Sequence, residues 1–246
     1  MWKDYIVIDK SIVTGMIQLP DKVADSHLWK MNAIEILALA VYHKIPVVFK
    51  ANEVKNMSQP GHEFEVGQVV NGKLDPLLVA ILKTYESKKK QIIYACSELI
   101  GMILNSMKEK PWFGEIIKQT KIALFANEIR ERHDVFVYSV ERVTREYDAL
   151  LMDREFFLKT ISFINILTGS MRAAVFKTFE RYIKTAKEMN RLSDIDDISM
   201  SILGVSKSIL ADINDDNQQG ILTLLITFSE LKGVDSVEKL IDSFVS

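Results

Sequence analysis

Residues 136–151 read Phe136-Val137-Tyr138-Ser139-Val140-Glu141-Arg142-Val143-Thr144-Arg145-Glu146-Tyr147-Asp148-Ala149-Leu150-Leu151. Phe136, Val140, Val143, Tyr147 and Leu150 recur at spacings of three and four, and Leu151 widens the stripe. With about 3.6 residues per turn, such a set lies on one face of a helix. Met171, Val175, Phe179, Tyr182, Ala186 and Met189 repeat the pattern. The rhythm runs almost from end to end, in pairs of segments broken by short polar turns. It predicts an all-α fold.

Composition agrees with that reading. Of 246 residues, 48% are apolar, enough for a substantial core and too many for a disordered chain. With 10 Gly and 5 Pro, the chain is poor in the turn residues that a β-sandwich or doubly wound sheet needs. A net charge of −2 gives the whole chain no nucleic-acid signature. Charge is uneven, however: residues 73–184 carry 19 basic and 14 acidic side chains, and residues 185–246 carry 5 and 11. The single cysteine, Cys96, excludes an intramolecular disulfide and a cysteine-cage zinc site, and its apolar neighbours make it a core residue. No run is long and apolar enough for a membrane span, and the first residues do not read as a signal peptide. An intracellular protein, cytoplasmic or nuclear, is the expectation.

Along the chain, a first helix is expected over 4–19, ending at Pro20. A long one follows from Ser26, read as its N-cap, to His43, with Leu28, Met31, Ile34, Leu37 and Val41 facing the core and Pro46 beyond. Residues 47–55 read as a further short helix. The stretch 56–73, with Pro60, Gly61, Gly67 and Gly72, reads as an irregular loop, the alternative being a short hairpin from Phe64 to Val70. Asp75-Pro76 is an N-cap followed by proline at the first helical position. The helix it starts carries Leu78, Leu82 and Tyr85 to a turn at Ser87-Lys88-Lys89-Lys90, and its partner runs to about Met107. Later helices are expected at 112–131, 134–152, 155–168, 171–190, 198–211, 217–231 and 235–245, with turns at Gly169-Ser170 and Ser193–Asp197.

The helix 75–85, a charged turn, and then Ile92-Ile93-Tyr94-Ala95-Cys96-Ser97-Glu98-Leu99-Ile100-Gly101 together resemble a HEAT-type repeat. The phrasing is similar to the α-solenoid regions of the phosphatidylinositol 3-kinase-related kinases. The match covers residues 75–108. The usual proline and paired Asp/Arg positions are absent from most pairs, which leaves ARM-like or unrelated helical stacking open. The resemblance implies one helical-repeat domain over 1–246, an α-solenoid of stacked antiparallel helix pairs (HEAT/ARM-like). The apolar terminal helices add the expectation that it is a segment of a longer chain. It also implies a non-enzymatic scaffold for other proteins, such as the solenoid arm of a DNA-damage-response kinase, with no catalytic domain in this chain.

Motifs for chemistry are sparse. There is no GxxxxGK[ST] and no GxGxxG, and Arg132-His133-Asp134 has the wrong order for a kinase catalytic loop. His27, His43, His62 and His133 stand in no metal-binding spacing. His43 and His133 are expected near helix C-termini, where the helix dipole favours positive charge. Asp194-Ile195-Asp196-Asp197 spells the DxDD of some α-helical isoprenoid enzymes, but a partner Asp-rich motif and basic diphosphate ligands are missing, and N-capping accounts for it. Asp212-x-Asn214-x-Asp216 lacks the glycine and glutamate of a calcium loop. No cofactor, metal or catalytic residue is expected. The candidates for phosphate or partner contact are Lys88, Lys89 and Lys90, because lysines on a loop touch phosphates without reading sequence. Nucleic acid is a weakly supported partner. The alternatives to a scaffold are a transport or coat-type adaptor for linear peptides, and an isoprenoid-type enzyme.

Overall fold

The computed structural model describes residues 8–45, 47–48, 69–70, 73–129, 132–163, 167, 169–191, 222, 225–226, 229–230 and 233–245. Those residues are mostly helical, as the apolar spacing predicts. Their contacts group into two compact units, Met1–Tyr147 and Asp148–Ser246.

In the first unit, β1 (Ile8–Asp9) leads into α1 (Lys10–Ile17). The Asp9 carboxylate accepts from the Ser11 and Ile12 amides and caps α1, so the helix starts at Lys10 and not near residue 4. The N-cap of helix α2 (Ser26–His43) lies one residue earlier than expected: it is Asp25, in the left-handed region at φ 56°, and Ser26 is the first helical residue. At the other end Lys44 is left-handed at φ 53°, and the Ile45 amide reaches back to the Ala40 carbonyl at 2.8 Å, a closing bond that ends the helix.

Residues 47–48 correct the expectation of a helix over 47–55. Val47–Val48 is β2, a strand paired in parallel with β1, Ile8 opposite Val47. Two adjacent β-branched residues suit extended backbone, but the partner lies far off in sequence. The rest of the expected helix, 49–55, falls outside the described residues. Strands β3 (Val69–Val70) and β4 (Lys73–Leu74) pair antiparallel. A hairpin thus ends the loop stretch, displaced toward Leu74 from the expected Phe64–Val70, whose first five residues are not described.

Asp75 caps α3 (Pro76–Lys83) as expected, accepting from the Leu77 amide at 2.8 Å. The same carboxylate holds Lys10 Nζ at 2.5 Å, both side chains buried, so one residue ends a loop and ties α3 to α1. A 3-10 turn (Thr84–Glu86) carries buried Tyr85 to α4 (Lys90–Met107). Helix α4 is the centre of this unit. It buries ten of its eighteen residues and packs against both α2 and α6 (His133–Glu146). Helix α5 (Phe113–Ile129) packs on α6, with Phe125 stacked on Phe136. Gly101 is a point of close approach of α4 to α6: a Cβ there would stand 2.6 Å from the Val143 carbonyl oxygen and 2.8 Å from Glu146 Cβ.

The stripe 136–151 is not one helix. It breaks at Tyr147, whose backbone is extended (φ −139°, ψ 83°), and resumes as a 3-10 turn, Asp148–Met152. That turn opens the second unit, followed by α7 (Arg154–Ser162) and α8 (Gly169–Glu188). Gly169 and Ser170 lie inside α8 and not in a turn before it. Phe157 of α7 stacks on Tyr182 of α8 with centroids 3.8 Å apart, and also meets Phe179. Thr185 donates to the Asp148 carboxylate at 3.0 Å. Asn190, left-handed at φ 55°, ends α8. Helix α9 (Val234–Val245) is the last described element. The DxDD segment and the Asp212–Asp216 segment lie outside the described residues, as does the expected helix 198–211.

Candidate interaction site

The lysine turn sits where the 3-10 turn meets α4. Lys88 and Lys89 are exposed, and the Lys89 amide donates to Ser87 Oγ at 3.1 Å. Lys90, the first residue of α4, pairs with Asp134 in the first turn of α6. Burial raises the Asp134 carboxyl, but the Lys90 hydrogen bond, the Val135 amide and the Lys90 and Arg132 charges outweigh it and hold it below its ordinary value. Arg132 donates to the Ser87 carbonyl at 3.0 Å and fastens the turn to the start of α6. The three lysines are therefore not drawn into one anion cradle: Lys90 is spent on an internal ion pair, and Lys88 and Lys89 project from the turn. His133 is corrected by the same geometry. It opens α6, so it stands at a helix N-terminus and not a C-terminus.

One turn along both helices, Arg142 lies over Tyr94 at 4.5 Å and Tyr138 at 5.8 Å from the ring centres. Its Nε reaches Glu98 at 3.4 Å, and Arg145 holds Glu141 at 2.8 Å. Desolvation raises the Tyr94 hydroxyl, and the Asp134 charge adds to it. This Arg–Tyr–Glu layer is internally satisfied and locks α4 to α6.

A cleft of about 380 Å³ opens between the segment after α1, the start of α2 and the end of α3, lined by Gln18, Asp21, Lys30, Lys83 and Thr84 among others. Its Lys30 ammonium is held by Asp21 at 2.5 Å. Cys96 packs nearby within α4. It is fully buried, and desolvation pushes its thiol up to about 12, so it is an inert core group. Among the described residues no cluster of three His, Cys, Asp or Glu is placed to hold a metal, and no helix is long and apolar enough to cross a membrane.

The surface that stands out is the outer face of α2. Ala33, Ile34, Leu37, Ala40 and Val41 are buried. On the opposite side Leu28 is 52% exposed, Trp29 51%, Ile36 38%, Leu39 55% and Tyr42 74%. At about 100° per residue these five share one contiguous stripe with Asn32 and the exposed Glu35. Leu28, expected in the core, is thus on the outside. Periodicity could not choose between the two faces because both are apolar: between Ser26 and His43 the only charged side chains besides the histidines are Lys30 and Glu35. That missing polar face was the legible signal, since a helix apolar all round is covered on both sides or waits to be.

No protein-family model matches the chain, and no curated protein or solved structure matches it either.

Proposed function

We propose that this chain is a non-enzymatic helical scaffold for protein–protein interaction, a HEAT-like stack of helix pairs working within a larger protein or assembly. The reading is supported above all by the outer stripe of α2, in which five large apolar side chains on one rigid helix face solvent. Aromatic anchors such as Trp29 and Tyr42 are the residue types that dominate binding energy when a partner covers them. Lys90 and the cleft's Lys30 are each paired with a carboxylate of the same chain, which favours an apolar docking face over a phosphate site.

The test is proximity cross-linking with the full chain against the double variant Leu39→Glu, Tyr42→Glu. Both positions are exposed, so the variant keeps its helical circular dichroism and melting temperature. Contacts made by the wild type and lost by the variant support the reading. An unchanged set of contacts overturns it.

A further inference from the structure

Helix α5 is held by a mixed stripe. Ile116, Thr120, Leu124 and Asn127, at spacings of four, four and three, share one face and are fully buried. Two apolar side chains thus alternate with two polar ones, and the polar ones are unsatisfied. The Thr120 hydroxyl and both ends of the Asn127 amide have no hydrogen-bond partner among the described residues, nor has the indole N–H of Trp112 just before the helix. One more buried side chain is orphaned in this way, Ser139 on α6, one turn from the Phe136 ring that stacks on Phe125 of α5. By contrast, in α4 Ser97 donates to the Ile93 carbonyl and accepts from Tyr85, and in α6 Thr144 donates to the Val140 carbonyl at 2.8 Å. A buried polar group without a partner loses its water and gains nothing in return. In this unit that cost is concentrated on α5, and it is relieved when α5 lifts into solvent.

The helices around α5 do not need it to stay together. Lys90 pairs with Asp134, Tyr94 meets Tyr138, and Gly101 lies against Val143, so α4 and α6 are parallel neighbours in direct contact. Helix α5 is the return connection between them, laid against the pair. On the other side α4 is also packed by α2. What α5 adds is the Phe125–Phe136 stack, an edge contact of Phe113 with Tyr147 at 5.4 Å between ring centres, and its own buried stripe. A helix with few buried apolar side chains and several unpaired polar ones belongs to the low-stability end of a fold. We infer that α5 is a displaceable flap: it opens as one unit while α4 and α6 stay packed, and its opening uncovers a second apolar surface on α6 around Phe136.

Native-state amide hydrogen exchange of the full chain tests it. The amides of α5 exchange at least about 100-fold faster than the protected amides of α4. The double variant Thr120→Val, Asn127→Leu keeps the side-chain volumes close and removes the orphaned groups. It slows exchange in α5 by about tenfold or more and leaves α4 as it was. Thr144→Val, which removes a hydroxyl that has a partner, gives α5 no such protection. Equal protection of α4, α5 and α6 in the wild type overturns the proposal. So does a double variant whose α5 exchanges as fast as the wild type or faster, since the two polar groups then have partners. A double variant that slows α4 and α6 as much as α5 also overturns it, because the helix then opens only with the whole unit.

Discussion

Replacing Gly101 by alanine exchanges a local gain for a tertiary loss, and the structure decides the sign. In an isolated helix the change stabilises by about 1 kcal/mol, because glycine loses more backbone freedom on folding. In α4 the new Cβ would meet the Val143 carbonyl oxygen at 2.6 Å and Glu146 Cβ at 2.8 Å. The first of these is backbone of α6 and cannot rotate away. Restoring ordinary contact requires α4 and α6 to part by roughly 0.7 Å, enough to forfeit a quarter to a half of the dispersion well for the atoms facing each other there. Overpacking of this kind costs about 3 kcal/mol at its upper range, so the net loss is about 2 kcal/mol. For a domain of this size that lowers the melting temperature by about 4–8 °C. The control is Gly15→Ala in α1, where nothing stands within 4 Å and the residue is exposed. That variant is expected to gain about 0.5–1 kcal/mol. Thermal melts followed by circular dichroism separate the two. A Gly101→Ala protein as stable as wild type, or stabilised like Gly15→Ala, refutes the close α4–α6 crossing.

Four further outcomes follow from named contacts. Lys44→Gly is expected to raise stability by about 1 kcal/mol in urea melts, since a left-handed C-terminal position is strained for lysine and free for glycine. Asp75→Ala is expected to lose about 1 kcal/mol more than Asp75→Asn: asparagine keeps an acceptor for the Leu77 amide, while both remove the carboxylate from the buried Lys10. Phe157→Ala, which removes the stack on Tyr182, is expected to cost about 3–5 kcal/mol in the second unit, read as a lowered denaturation midpoint for a tryptophan-free probe such as hydrogen exchange of α8. Cys96 ties stability to alkaline pH. Its folded value, about 12, lies above the ordinary 9.0, so the folded state holds the proton longer than the unfolded one. The contribution is complete below pH 9 and is lost as pH rises toward 12, with buried Tyr85, also raised by desolvation, adding to the loss. Cys96→Ala should flatten that decline, and the native thiol should resist a thiol reagent at neutral pH until the chain unfolds.

The sequence by itself determined that the chain is helical and where several helices stop and start. Asp75-Pro76 is a local start signal, and it starts α3. The polar turn at 87–90 separates Tyr85 from α4, and α4 ends at Met107 as its periodicity requires. These features depend on neighbours within a turn or two, so they are written in consecutive residues. Tertiary structure decided the rest, because the deciding atoms are remote in sequence. Val47–Val48 is a strand only because Ile8–Asp9 is there to pair with it. The stripe 136–151 keeps helical spacing across Tyr147, yet its two parts belong to different units, and the helix ends at Glu146 where the Tyr147 backbone leaves the helical region. The lysines of the turn could be named from the sequence, but only the fold shows Lys90 taken by Asp134 and not held with its neighbours around a ligand. In α2, both faces satisfy the same periodicity. Which one meets α4, and which is left to Leu28, Trp29, Ile36, Leu39 and Tyr42 on the surface, depends on the neighbour and not on the helix.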